Sequence, residues 1–216
     1  MPRLLVINPN TSASVTALLQ THVQAAAGDA LEVHSLTARF GAPYISCEAS
    51  YAVANHAVLD TWALAQAQEL QPDAVLIGCF GDPGLFALRD GAGVPVSGLA
   101  EAAFAAAAWH GRFAIVTGGD RWRPMLQRLV GARQLLAQAC CQAAERFNAR
   151  AVILGGAGLA GMAADIASSV PVPLIDSVTA GAEWAIDALR GPARPLAPAG
   201  FGVAWQSVSW ELAALA

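Results

Sequence analysis

Two segments of this chain repeat one pattern, and the repeat restricts the fold more than any other feature. Ala74-Val-Leu-Ile-Gly-Cys79 lines up with Ala151-Val-Ile-Leu-Gly-Gly156. In each, four apolar residues run into glycine, as in a strand buried on both faces of a parallel sheet. After each comes a glycine-rich loop, a short helix, a strand entered through Val-Pro and another helix. Upstream, an apolar strand ending at Asn8 matches one ending at Thr117. Strands that alternate with helices in this way build a parallel sheet covered by helices. The fold expected is α/β, with two pseudo-symmetric Rossmann-like lobes facing each other through their strand ends.

The two copies are unequal. Cys79 follows Asn8 by 71 positions, but Gly156 follows Thr117 by only 39. The second lobe is therefore short by about one strand–helix unit, the counterpart of 31–70, and 121–149 reads as mainly helix, with Pro124 suited to a first turn and a break near Gly131. The lobes are expected at 1–98 and 99–190. A proline-rich linker at 191–199 leads into an apolar tail, and this arm (191–216) is expected to pack on the first lobe. If the missing unit uncovers apolar surface, a second copy of the chain is the expected cover.

Composition removes several function classes. Hydrophobic residues make up 56% and charged residues 13%, so a large core is easily built. A net charge of −4 with no basic run argues against nucleic acid as partner. The apolar start is cut short at Asn8 and Pro9, unlike a secretory leader. No stretch approaches the ~18 apolar residues of a membrane span. The four cysteines, Cys47, Cys79, Cys140 and Cys141, have neither metal nor disulfide-framework spacing, which suits a reducing cytoplasmic setting.

Function is sought where strands end, because ligands of open α/β sheets bind beyond the carboxyl ends of the strands. Cys79 stands at such an end, at the start of Gly78-Cys-Phe-Gly-Asp-Pro-Gly84, which makes it a candidate acid, base or nucleophile. A cleft between the lobes would be lined by Asn8, Asn10 and Cys79 on one wall and by Thr117, Gly118 and Gly156 on the other. The loop at 39–48, with Tyr44, Cys47 and Glu48, is long enough to reach over it.

Three motifs, Ile7-Asn-Pro-Asn-Thr-Ser12, Gly78-Cys-Phe-Gly-Asp-Pro-Gly84 and Val116-Thr-Gly-Gly-Asp-Arg-Trp122, resemble the aspartate/glutamate/hydantoin racemase superfamily, with the hydantoin and allantoin branch most similar. The resemblance implies a cofactor-independent enzyme in which two cysteines, one per lobe, move a proton on and off an acidic carbon from opposite faces. Cys79 matches the first. The second would fall at Gly156, and glycine carries no proton. The resemblance makes Asn8, Asn10, Thr11, Phe80, Gly81, Thr117, Gly118, Gly156 and Ala157 the substrate-binding positions, with no metal and no cofactor. Its substrate would be a small amide or carboxylate such as a hydantoin. The alternatives are a single-cysteine decarboxylase or isomerase related to the arylmalonate decarboxylases, or a binding protein without catalysis.

Chemistry of this kind needs donors aimed at a developing enolate oxygen. Asn8, Thr117 and Gly118, with the N–H groups of Phe80 and Gly81, are the candidates; a turn role for Asn8 and a helix cap for Thr117 are the duller readings. The thiol is expected to be partly ionised by loop N–H groups or by the helix after Gly84, with Asp82 opposing if close. Such an Asp ordinarily caps the following helix. Ser177 and Thr179 are hydroxyls that could replace the absent second thiol. Cys140 and Cys141 read as packing or surface, and the four histidines have no ligand spacing.

Overall fold

The computed structural model describes residues 1–118, 132–190 and 200–215. The first sheet holds β1 (Arg3–Asn8), β2 (Glu32–Thr37), β3 (Ala74–Ile77) and β4 (Val96–Gly98), in the order β2-β1-β3-β4. The second holds β5 (Phe113–Thr117), β6 (Ala151–Gly155) and β7 (Leu174–Asp176), in the order β5-β6-β7. Every pairing is parallel. Among the described residues, the four-against-three strand count agrees with the unequal spacing of the repeat. β3 and β6, the repeated segments, are each buried along their whole length.

The helices are α1 (Ala13–Ala27), α2 (Glu48–Ala67), α3 (Leu85–Gly91), α4 (Leu99–Ala108), α5 (Ala132–Phe147), α6 (Met162–Ile166), α7 (Ser177–Arg190) and α8 (Trp210–Ala213). α5 lies within the segment expected to be helical; the expected helix start near Arg121, the break at Gly131 and the linker at 191–199 fall outside the described residues. No helix among the described residues is long and apolar enough to cross a membrane.

Strand alternation divides the first core in two. Leu4, Val6 and Leu76 pack with Leu19 and Val23 of α1 and with Val178, Ala182 and Ala185 of α7. Leu5, Ile7, Val75 and Ile77 pack on the other face with Val58 and Trp62 of α2, Leu88 of α3, and Phe201 and Leu212 of the tail. In the second sheet Val152 and Leu154 meet Leu136 and Cys140 of α5, while Ile153 meets Ala102, Ala103 and Ala107 of α4. The helix that closes each lobe thus lies against the other lobe as well: α4 on the second sheet, α7 on the first. A division of the chain at residue 98 follows the strands but not this packing.

The tail is fixed by charge as well as by apolar contact. Arg39 donates to Asp60 at 2.8 and 3.0 Å and to Glu211 of α8 at 2.7 and 3.2 Å. The two carboxylates are only 2% and 5% exposed, so one guanidinium serves both in a water-poor setting.

Candidate active site

The loop after β3 opens on glycine because there is no room for a side chain there. A Cβ on Gly78 would come within 2.5 Å of Leu19. Gly84 begins α3 at φ +74, a left-handed geometry that glycine takes without steric cost, and its N–H donates to Asn55 Oδ1 at 2.5 Å. The Tyr51 hydroxyl donates to the Gly81 carbonyl at 2.8 Å. The Phe80 N–H has no acceptor among the described residues.

Asp82 does not cap the helix that follows it. Its carboxylate accepts the N–H groups of Ala100 at 2.9 Å and Glu101 at 2.8 Å, capping α4 two elements further on. A Cβ at Gly98 would collide with the Asp82 side chain, so glycine there makes the contact possible.

The electrostatics of Cys79 reverse the expectation from sequence. Burial pushes its thiol up to about 12, and the Asp82 carboxylate adds to the shift. No loop N–H group lowers it, and the N–H of Cys79 itself points to the Ile77 carbonyl at 2.9 Å. The resting thiol is neutral at ordinary pH. Burial likewise raises Asp82.

Asn8 is placed as a turn residue. Its side chain is completely buried, and its amide nitrogen donates within the loop to Asn10 Oδ1, the Ser12 carbonyl and Thr16 Oγ1 at 2.9 to 3.1 Å. Those contacts take up both of its N–H donors, so the oxyanion-donor expectation for its side chain does not fit this arrangement. Asn10 Oδ1 in turn accepts the Ser12 N–H at 2.9 Å. The Thr11 N–H donates to the Ala42 carbonyl at 3.1 Å, tying the Asn-Pro-Asn-Thr loop to the segment at 39–48.

The opposing wall comes from the second sheet. A Cβ on Gly155 would lie 2.7 Å from the Phe80 ring, so the two strand-end loops meet through this contact, with Cys79 and Gly156 each one residue away. Gly156 has φ +134, its N–H donates to Ser177 Oγ at 3.2 Å, and among the described residues a Cβ there would find only Thr117 Oγ1, at 3.9 Å. Ala157 is buried behind it and Thr117 is exposed. The Tyr44 hydroxyl donates to the Gly118 carbonyl at 2.8 Å, so the 39–48 loop of the first lobe reaches the second. Asp176 caps α7 through the N–H groups of Val178 and Thr179 and also accepts the Gly161 N–H at 2.8 Å.

The remaining cysteines lie elsewhere: Cys140 in the second core, Cys141 donating to the Ser169 carbonyl, and Cys47 exposed at the start of α2. Among the described residues no cluster of His, Cys, Asp and Glu could hold a metal. A cavity of about 990 Å³ opens between α2, α3, α4 and the tail, lined by Tyr51, Phe80, Phe86, Phe104 and Trp205. Cys79 is not in its lining, so it lies behind the loop rather than at the thiol. Tyr51, Asn55 and Asp176 hold the loops in shape, and nothing in their sequence spacing marks them.

Two parallel α/β lobes that meet at their strand ends beside one thiol define the class. The chain belongs to the Asp/Glu/hydantoin racemase family, whose profile matches residues 4–138 and 130–185. It is 30% identical to a hydantoin racemase of Paenarthrobacter aurescens over 206 residues, spanning 82% of this chain and 87% of that protein. A hydantoin racemase of Rhizobium meliloti is 31% identical over 218 residues, spanning 86% and 88%. The structure of an allantoin racemase from Klebsiella pneumoniae superposes with a TM-score of 0.82 at 28% identity, covering 100% of this chain and 99% of that one. An arylmalonate decarboxylase shares the fold, with a TM-score of 0.57 at 18% identity.

Proposed function

We propose that this chain is a cofactor-independent enzyme of the racemase type, which moves a proton through Cys79 at the acidic ring carbon of a small cyclic amide such as a hydantoin. The observation that carries the reading is the place of Cys79: a half-buried thiol at the end of β3, in the loop that meets the second lobe at Gly155. Relatives that act on hydantoins and allantoin support a ring amide as substrate. The Phe80 N–H, without an acceptor among the described residues, can face an enolate oxygen, and preorganised donors of this kind stabilise such charge without reorganising. A thiol held near 12 is protonated at rest, and its thiolate, once formed, is a stronger base than an ordinary one. Glycine at 156 supplies no thiol on the opposite face. Exchange of the ring proton with solvent should therefore outrun loss of optical activity.

The test is proton exchange in deuterated water, followed by NMR, across hydantoins, allantoin and amino acids. Cys79→Ser should lower exchange by roughly 100- to 10,000-fold, the span of a general base. Exchange that persists unchanged in the variant removes Cys79 from the mechanism.

A further inference from the structure

We propose that the Thr117 hydroxyl is the proton donor on the substrate face opposite Cys79, relaying from a water molecule in the space that Gly156 leaves open. This rests on the racemase reading above. Among the described residues, a Cβ at Gly156 would meet one atom within 4 Å, Thr117 Oγ1 at 3.9 Å. That oxygen therefore stands within reach of the place a second-lobe thiol would take, and the absent side chain leaves room for solvent beside it. Thr117 is exposed, and its hydroxyl has no partner among the described residues. It sits at the end of β5, in register with Gly155, which touches the loop of Cys79 through Phe80. The other hydroxyls fit less well. Ser177 is 1% exposed and its oxygen receives the Gly156 N–H, while Thr179 lies outside the 4 Å around a Gly156 Cβ.

In the forward direction the Cys79 thiolate takes the ring proton; the C–H bond breaks and its electron pair moves onto the neighbouring carbonyl. From the other face the Thr117 O–H bond breaks and its proton forms the new C–H bond. Water hydrogen-bonded to Thr117 Oγ1 restores the hydroxyl proton and leaves as hydroxide. Cys79 then releases its proton to solvent, where it recombines with that hydroxide. A hydroxyl is a much weaker acid than a thiol, so this path is slow but complete.

The experiment compares racemisation with exchange for one enantiomer of a 5-substituted hydantoin in deuterated water, using the parent protein, Thr117→Val, Thr117→Ser and Cys79→Ser, each checked by thermal melting. In Thr117→Val the ratio of racemisation to exchange should fall at least roughly tenfold, the low side of a general-acid contribution, and Thr117→Ser should restore it. If Val perturbs the strand end, Thr117→Ala gives the same reading. An unchanged ratio in Val or Ala overturns the assignment. So does a proportional fall of both rates, which would make Thr117 a substrate anchor only. Loss of exchange in Cys79→Ser with an unchanged ratio in Thr117→Val overturns the relay alone. Exchange that persists in Cys79→Ser overturns the Cys79 reading beneath it.

Discussion

The loops after β3 and β6 are copies of one design, yet they place their carboxylates differently. Gly84 and Gly161 occupy the same position, begin a short helix at φ +74 and +79, and give their N–H to a side-chain oxygen. In the second lobe that oxygen belongs to Asp176, the last residue of β7, which also caps α7. In the first lobe the residue at the end of β4 is Gly98, and α4 is capped by Asp82 from the loop itself. The loop N–H there goes instead to Asn55. Both lobes cap the helix and hold the loop, but only the first brings the capping charge beside a thiol. Moving one carboxylate from a neighbouring strand into the loop thus raises the proton affinity of Cys79 without altering the backbone plan.

The largest effect should come from the glycines that open these loops. Gly78→Ala would press a methyl against the flexible end of Leu19, whereas Gly155→Ala would press it against three atoms of the Phe80 ring. Each overpacking should cost about 1–3 kcal/mol in stability. Gly155→Ala should in addition lower exchange well beyond Gly78→Ala, because it pushes apart the contact on which the two walls rest. Denaturant unfolding and exchange kinetics on both variants check this; equal losses of activity would mean that the Phe80–Gly155 contact does not position the site.

Next comes the pair of capping aspartates. Asp82→Ala and Asp176→Ala each strip a helix N-terminus of its acceptor, and each should cost about 1–2 kcal/mol. Their pH profiles should differ. With the Cys79 thiol held near 12, the active thiolate grows with pH, so kcat/KM for exchange should climb through the neutral and alkaline range. Removing Asp82 removes a charge that opposes ionisation, so the rising limb should move to lower pH. Burial, the larger cause, remains, and the shift should stop short of an ordinary thiol. Asp176→Ala should leave the profile in place. Profiles that move alike in both variants would separate the Asp82 charge from the thiol.

What could be read from the sequence follows from range. β3 and β6 were legible because burial on both faces leaves an unbroken apolar run, and the missing strand was legible because spacing counts it. The cap from Asp82 to Ala100 was not, since it joins residues 18 apart across a strand, and the residue that permits it, Gly98, is marked only by lacking a side chain. The direction of the Cys79 shift is hidden for the same reason: a glycine-rich loop suggests free N–H donors, but burial and a nearby carboxylate are tertiary facts. Asn8 stands out as polar at a strand end, and nothing local shows that Asn10, Ser12 and Thr16 take up its amide.

The smallest expected effect concerns the loop at 39–48, which reaches from the first lobe to the second. β2 leads into the 39–48 loop, and the described second sheet has no strand in the corresponding place. One hold on the other lobe is the Tyr44 hydroxyl on the Gly118 carbonyl, next to Thr117. Tyr51, by contrast, makes a similar bond within the first lobe, to Gly81. A hydrogen bond of this kind contributes about 0.5–1.5 kcal/mol. If it holds the loop over bound substrate, Tyr44→Phe should raise KM by roughly 2- to 10-fold with little change in kcat, the mark of lost uniform binding. Tyr51→Phe should instead act through the loop that carries Cys79 and lower kcat. The steady-state constants of the two variants, measured on the same hydantoin, separate an arm between lobes from a brace within one; a Tyr44→Phe enzyme with the parent KM would leave the arm without a part in binding.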